Sequence, residues 1–589
     1  LLGSLLDPAR SLKNDLATSS FDTLRDLLGR ALATERPETL WGPASEMQDD
    51  SWDLALTAKG LLDAARLLDG RYHLVVTNVP YLGRGQQSEV LRDYCDAYYD
   101  DAKHDLANVF LERCIELSIE SCGVAQVVMP QAWFYLGRYK RQRVNLLSKN
   151  SWLLAGRLGP GAFDAIGGEV VSVVLLSTSN RPPDSGSVMS GIDASASKSA
   201  AEKASQLRSA ALLRINQAGQ LKNPDARILL GDQLAEVLLK QYADSRYGLR
   251  TSDGARFIHY LWEIGDEPGW VHHQSTVAVT ESFAGRECVL KWDDGVGALS
   301  ELAELGLASL QGADAWGRRG VAVSLTGELR STLFEGTKFD NNCAVVWPLS
   351  SEHLAAVWCF LSSNQYNPMV REIDQSLKVT NQTLLKVEFD LAQWQQVAAE
   401  RYPNGLPKPY SDDPTQWLFH GHPQPATDPL QVAVARLAGY RWPGETDTTM
   451  ELADEARTWI AGCEKLTEHT DDDGIVCLPS VRGESPAHDR LLKLLIAAWE
   501  TVHPGTWKPA VLDKLLADAD CAGKGLDVWL RDKFFEQHAK RFHHRPFIWH
   551  VWDGLKDGFG ALVNYHQLDA KNLERLIHTY LGDWIRQQE

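Results

Sequence analysis

Two periods of apolar and polar positions alternate along the first third of the chain. Phe21-Asp-Thr-Leu-Arg-Asp-Leu-Leu and Leu54-Ala-Leu-Thr-Ala-Lys-Gly-Leu-Leu repeat apolar residues at three- and four-residue spacing, so residues 1–70 are predicted to be helical. Leu74-Val-Val-Thr-Asn78 is instead a β-branched run, read as a short buried strand. Pro80 cannot continue it. Asn78, Val79, Pro80 and Tyr81 are therefore expected on a loop at the strand's carboxyl end, where open α/β sheets bind ligands. Helical spacing returns from Asp105 to Ser118, with Leu106, Val109, Phe110 and Leu117 on one side and Asp105 at the N-cap position. Gly123-Val-Ala-Gln-Val-Val-Met-Pro130 predicts a second strand. Arg138-Tyr-Lys140-Arg141-Gln-Arg143 opens a basic helix. Glu169-Val-Val-Ser-Val-Val-Leu-Leu is a strong strand after the glycine-rich Leu158-Gly-Pro-Gly161-Ala-Phe163.

Helix–strand alternation through residue 178 predicts a doubly wound α/β sheet. Asn180 to Lys203, poor in large apolar residues, reads as a loop or linker. Residues 205–250 read as a helical connector, with Leu229 to Tyr242 amphipathic. Residues 251–427 interleave Trp, Gly and short β-like runs with turns, and residues 428–589 are mostly helical. The expected order is a helical segment (1–70), an α/β core (71–180), a linker and connector (181–250), a mixed α+β region (251–427) and a helical region (428–589).

At 589 residues the chain holds several domains, and its 44 % apolar content suffices for large cores. No stretch has the run of roughly 18 apolar residues that a membrane span needs, and no secretion signal is evident. Nine cysteines without a Cys-x-x-Cys pair argue against a disulfide framework and a zinc ribbon, and point to a reduced, cytoplasmic protein. The net charge of −19 (59 basic, 78 acidic residues) argues against indiscriminate nucleic-acid binding. A DNA enzyme of this composition must concentrate its Lys and Arg along one cleft.

Asn-x-Pro-Tyr at a strand end suits methylation of an amino group conjugated with a ring. Such a nitrogen is a poor nucleophile because its lone pair is delocalised. An Asn side-chain oxygen and the next backbone carbonyl can accept both amino hydrogens and draw the nitrogen toward a tetrahedral geometry. Tyr81 can stack on a base that has left the duplex. The plainer reading is a strand ending in an ordinary turn. The four residues resemble motif IV of the amino-group DNA methyltransferases, usually Asn-Pro-Pro-Tyr. Val79 departs from that pattern, but the acceptor at its position is a backbone carbonyl, which Val also has.

The resemblance extends through the ordered series from Asn78 to Phe163. It implies a methyltransferase sheet (its second half) that uses S-adenosylmethionine, with Asp105 near the cofactor adenosine and Phe163 on the face of the flipped adenine opposite Tyr81. Capping alone explains Asp105 equally well, and Phe163 also reads as plain core. In the family a glycine-rich cofactor loop precedes motif IV. No such loop is found before Leu74, and the chain starts with Leu, so it is expected to be part of a longer protein.

Residues 251–420 resemble the target-recognition region of type IIG restriction–modification enzymes and of BREX and DISARM phage-defence methylases. The run Arg545-Pro-Phe-Ile-Trp to Tyr565-His resembles the carboxyl-terminal signature of the BREX type. Double-stranded DNA and other defence subunits are the implied partners. Lys140, Arg141, Arg143, Arg318, Arg319, Lys378, Lys540, Arg541 and Arg545 are candidate DNA contacts, each alternatively an ordinary surface charge. Five histidines lie between 538 and 566 without metal-ligand spacing, so no metal site is predicted. No nuclease cluster is found. The other function class is a catalytically inert DNA-recognition or assembly subunit, and glutamine or RNA methylation ranks below it.

Overall fold

A computed structural model describes residues 3–8, 10, 60, 63–159, 161–163, 172–197, 199–230, 237–265, 267–374 and 376–589. The chain divides into two compact units, Leu1–Glu236 with Arg371–Ser376, and Val237–Val370 with Leu377–Glu589. The helix expected over residues 21–28 lies outside the described residues. Residues 63–69 are helical.

Among its described residues the first unit has six strands: β1 (Leu74–Asn78), β2 (Val124–Pro130), β3 (Ser151–Gly159), β4 (Val173–Ser179), β5 (Val188–Asp193) and β6 (Leu213–Asn216). Their order in the sheet is β1-β2-β4-β3-β5-β6. After β1 come helices α1 (Glu89–Tyr98) and α2 (Leu106–Leu117), and α3 (Lys140–Lys149) lies between β2 and β3. β1 and β2 are parallel, as are β3 and β5, whereas β4 runs antiparallel to both β2 and β3. The sheet is thus mixed rather than parallel throughout. No helix separates β3 from β4 among the described residues, and a strand reached without a crossover helix pairs antiparallel.

Three expectations are corrected by the structure. β1 is not a buried strand: it pairs only with β2 and forms the edge of the described sheet, leaving Leu74 60 % and Val76 64 % exposed. The supposed linker is part of the sheet. Val188-Met-Ser-Gly-Ile-Asp193 pairs in parallel with β3, and helix α4 (Ala200–Ser209) follows, opened by a Ser199/Glu202 capping box. Small residues serve this strand because a side chain at Gly191 would meet the Ile215 side chain at 2.5 Å. The helical connector is likewise replaced: β6 adds to the sheet at Leu213–Asn216, and residues 231–236 lie outside the described residues.

Among its described residues the second unit holds three sheets. β7 (Ala243–Tyr247), β11 (Gly320–Ser324), β12 (Ser331–Phe334) and β14 (Cys343–Pro348) form one, in the order β12-β11-β14-β7. β8 (Ile258–Tyr260), β9 (Trp270–Gln274), β10 (Cys288–Lys291) and β13 (Lys338–Phe339) form another. The last 160 or so residues are not only helical. Helices α5 (Pro429–Leu437), α6 (Ala487–Val502), α7 (Pro509–Asp518), α8 (Leu526–Asp532) and α9 (Phe534–Arg541) surround a core holding Trp442, Trp499 and Trp529. The aromatic run after Arg545 forms a hairpin, β16 (Ile548–Trp552) with β17 (Gly560–Asn564), which β15 (Ile475–Cys477) extends to a third sheet. Its β-branched and aromatic residues favour a strand over a helix. Among the described residues no helix is long and apolar enough to cross a membrane.

Candidate functional site

Asn78 closes β1, and its side chain is exposed at the carboxyl end of the strand. Val79 turns inward. It is 3 % exposed within the cluster of Ala125, Val127 and Trp133, and its N–H donates to the Val128 carbonyl at 3.4 Å. Among the described residues nothing donates to its own carbonyl oxygen. Pro80 is exposed and aims the chain back over the sheet. Tyr81 is half-buried and donates its hydroxyl to Asn78 Oδ1 at 3.3 Å.

The tip is anchored to the start of α2. Leu106 N–H donates to the Leu82 carbonyl at 3.0 Å, Arg84 N–H donates to His104 at 3.0 Å, and Gly83 bridges Asp105. Asp105 caps α2, with Oδ1 accepting from Ala107 N–H at 2.9 Å, as its position predicts. Among the described residues its other carboxylate oxygen makes no hydrogen bond. Burial, and then the Asp105 charge, push the Tyr81 phenol up to about 12.

Phe163 follows β3 on a loop that leaves the strand through Gly159 and Gly161, both with positive φ. Gly159 is required there, since a side-chain carbon would meet Ser195 at 2.9 Å. Phe163 and Tyr81 pack against the same small apolar cluster of Leu158, Val173 and Ala194. They make no ring contact with each other. Asn78, Tyr81, Asp105 and Phe163, distant in sequence, are thereby gathered at one end of the sheet.

Lys203 was not anticipated from the sequence. Its side chain is 2 % exposed, and its ammonium donates to the carbonyls of Leu158 (2.7 Å), Ala194 (3.2 Å) and Ser197. It ties together the ends of β3 and β5 beneath the Phe163 loop. A lone lysine on a short helix carries no signal for this.

Arg143 is not a DNA contact. It is fully buried, and its guanidinium donates to the carbonyls of Trp133, Leu136, Asp225 and Ala226. Burial lowers its pKa to about 9. Lys140 and Arg141, by contrast, are 57 % and 78 % exposed, with ion pairs to Asp225 and to Asp100 and Asp101.

In the second unit, Arg318 is exposed and donates to the Asp314 carbonyl, and Arg319 pairs with Glu335 and Glu451. Lys378 donates to Asn342 Oδ1 at 3.0 Å. Lys540 is exposed at the end of α9. Arg541 pairs with Asp413 and Asp428, and Arg545 with Glu263.

Residues 28–154 match the family described as Eco57I restriction-modification methylase, a span that includes the Asn78 tip, α2, β2 and α3. The chain is 21 % identical over 694 residues to the adenine-specific methyltransferase PglX of Lacticaseibacillus casei (strain Zhang), covering 98 % of this chain and 56 % of that protein. It is 34 % identical over 120 residues to the adenine-specific methyltransferase BrxX of Escherichia coli O9:H4 (strain HS), covering 20 % and 10 %. The chain thus spans little more than half of the first relative. Among solved structures, the type IIL restriction-modification enzyme MmeI in complex with DNA aligns with a TM-score of 0.36 and 12 % identity, over 82 % of this chain and 58 % of that one. The resemblance read from the sequence, to restriction–modification and BREX-type adenine methyltransferases, is borne out.

Proposed function

We propose that this chain carries the base-binding half of a site-specific DNA methyltransferase of a bacterial phage-defence or restriction–modification system, acting on adenine N6. The observation that carries this reading is the open pair of acceptors at the end of β1. Asn78 Oδ1 keeps a lone pair beyond the one Tyr81 uses, and among the described residues nothing donates to the Val79 carbonyl. Two oxygens on successive residues suit the two hydrogens of one amino group.

In this reading an adenine leaves the duplex and lies between Tyr81 and Phe163, which share the apolar support of Leu158, Val173 and Ala194. Accepting both N6 hydrogens localises the nitrogen lone pair. No general base is required, and Tyr81 stays protonated at any working pH. S-adenosylmethionine, when bound, supplies an electrophilic methyl group for in-line displacement. Asp105 fits a place beside it, because its second carboxylate oxygen is uncommitted. The exposed Lys140 and Arg141 on α3 are suited to phosphate contacts, as are Arg318, Arg319, Lys378, Lys540, Arg541 and Arg545 of the second unit. The names of the relatives favour a BREX-type system over a DISARM type.

Incubating the full-length protein with labelled donor and DNA tests this. The wild type is expected to form N6-methyladenine and Asn78→Ala to form about 10²–10³-fold less, the usual loss when one preorganised polar group is removed. Equal incorporation by the two proteins excludes the site.

A further inference from the structure

The basic residues beside the Asn78 tip are not equally committed. Arg84 pairs with Asp96 at 2.6 Å, and Lys103 pairs with Asp96 at 3.1 Å and Asp100 at 2.7 Å. Lys140 and Arg141 meet Asp225, Asp100 and Asp101. Arg138 differs. It is exposed on the turn before α3, and among the described residues no carboxylate pairs with it. Its guanidinium lies 5.2 Å from the centre of the Tyr139 ring, which is buried and gives the cation a fixed aromatic shelf.

A chain of contacts connects this cation to the tip. The Tyr139 ring meets the His104 ring edge-on, with centroids 6.1 Å apart. The His104 carbonyl takes the N–H of Arg84, just past Tyr81, at 3.0 Å. Half-buried His104 sits in a positive field. Burial, and then the Arg138, Lys103 and Arg84 charges, hold its ring below the usual range, with Asp100 opposing them. The start of α3 adds to that field. This ten-residue helix has no side-chain cap among the described residues and no acidic residue in its first turn, so the positive end of its dipole is uncompensated.

The position beside the tip indicates which anion belongs there. A nucleotide whose base stacks on Tyr81 brings its own phosphodiesters to the rim of the tip, and a guanidinium bonds two phosphate oxygens at once. We infer that Arg138, with the start of α3, binds a backbone phosphate of the nucleotide whose base enters the Asn78–Tyr81 site. This rests on the methyl-transfer reading for the base and adds the group that holds its backbone.

The test uses the full-length protein and three probes: single-stranded oligodeoxyadenylate, its uncharged methylphosphonate analogue, and inorganic phosphate. The readouts are the pH titration of the His104 imidazole nitrogens and the salt dependence of binding. Oligodeoxyadenylate is expected to raise the His104 titration, since an anion beside the ring favours its charged form. The uncharged analogue should leave it in place. Arg138→Gln should weaken binding and lower the salt slope by about 0.7, the contribution of one single-strand phosphate. Arg138→Lys should keep the slope. The wild-type titration needs no variant, so it decides even where a substitution disturbs folding. Three results would each overturn the assignment: His104 unmoved by the oligonucleotide, a wild-type slope in Arg138→Gln, or inorganic phosphate shifting His104 as far as the oligonucleotide does, which marks a site for free anions. The two readings fail separately. DNA left unmethylated while His104 responds removes the methyl-transfer reading alone, and methylation with His104 unmoved removes the phosphate contact alone.

Discussion

The phenol of Tyr81 donates to the side-chain oxygen of Asn78 across 3.3 Å, and so fixes which way the Asn78 amide faces. With its pKa raised to about 12 by burial and by Asp105, the phenol is the donor and Oδ1 the acceptor. Tyr81→Phe removes this bond and keeps the ring; Tyr81→Ala removes both. Base–aromatic stacking contributes about 1–3 kcal/mol, so methyl incorporation should fall clearly further in Tyr81→Ala than in Tyr81→Phe. Equal losses in the two variants would mean that the hydroxyl, rather than the ring face, does the positioning.

Glu112 on α2 makes the first unit sensitive to pH. Burial raises its carboxyl to about 7, against a smaller opposing effect from Gln142, which donates to Oε1 at 2.9 Å. A raised carboxyl favours the folded state fully below the unfolded value near 4.5, and that contribution is lost as pH rises through about 7. Glu112→Gln should therefore gain stability relative to wild type between those pH values, by up to about 3 kcal/mol. Urea unfolding at pH 5 and pH 8 checks this; a pH-independent difference would place the shift elsewhere.

Arg143 and its neighbour Arg141 should separate structure from binding. Arg143→Ala strands four carbonyl groups, two of them in fully buried bonds, and should cost several kcal/mol, since hydrogen bonds to a charged group contribute about 1.5–3 kcal/mol each. Arg141→Ala should leave thermal stability alone and, if Arg141 meets a phosphate, lower the salt dependence of DNA binding by about one ion. Measuring both quantities on both variants decides between these roles.

Lys203→Met should release the ends of β3 and β5 and blur the position of Phe163. Its effect on methyl incorporation is expected to be strongly non-additive with Phe163→Ala, because each variant spoils the same wall. Additive losses in the double variant would leave Lys203 as a stabilising residue only.

Much of the first unit was legible in local signals. The Asn78–Tyr81 tip, the Asp105 cap and the strands β2 and β4 each announce themselves through β-branched runs, proline or capping chemistry. What escaped depends on distant neighbours. Val188–Asp193 reads as a linker because it is small and polar, yet Gly191 is small in order to fit beneath Ile215. β1 reads as buried because it is apolar, but burial needs a second neighbour, which composition does not reveal. Arg143 had a usable signal: it shares a helical face with the buried Leu146 and Leu147 at three- and four-residue spacing. Lys203 had none.

Val79 carries a consequence for how related tips are compared. Proline there would delete both an isopropyl group sunk among Ala125 and Val127 and the amide that reaches the Val128 carbonyl. Variation at that position therefore reports how the outermost pair of strands is zipped shut, while the main-chain oxygen at the tip is the same for every amino acid that can stand there.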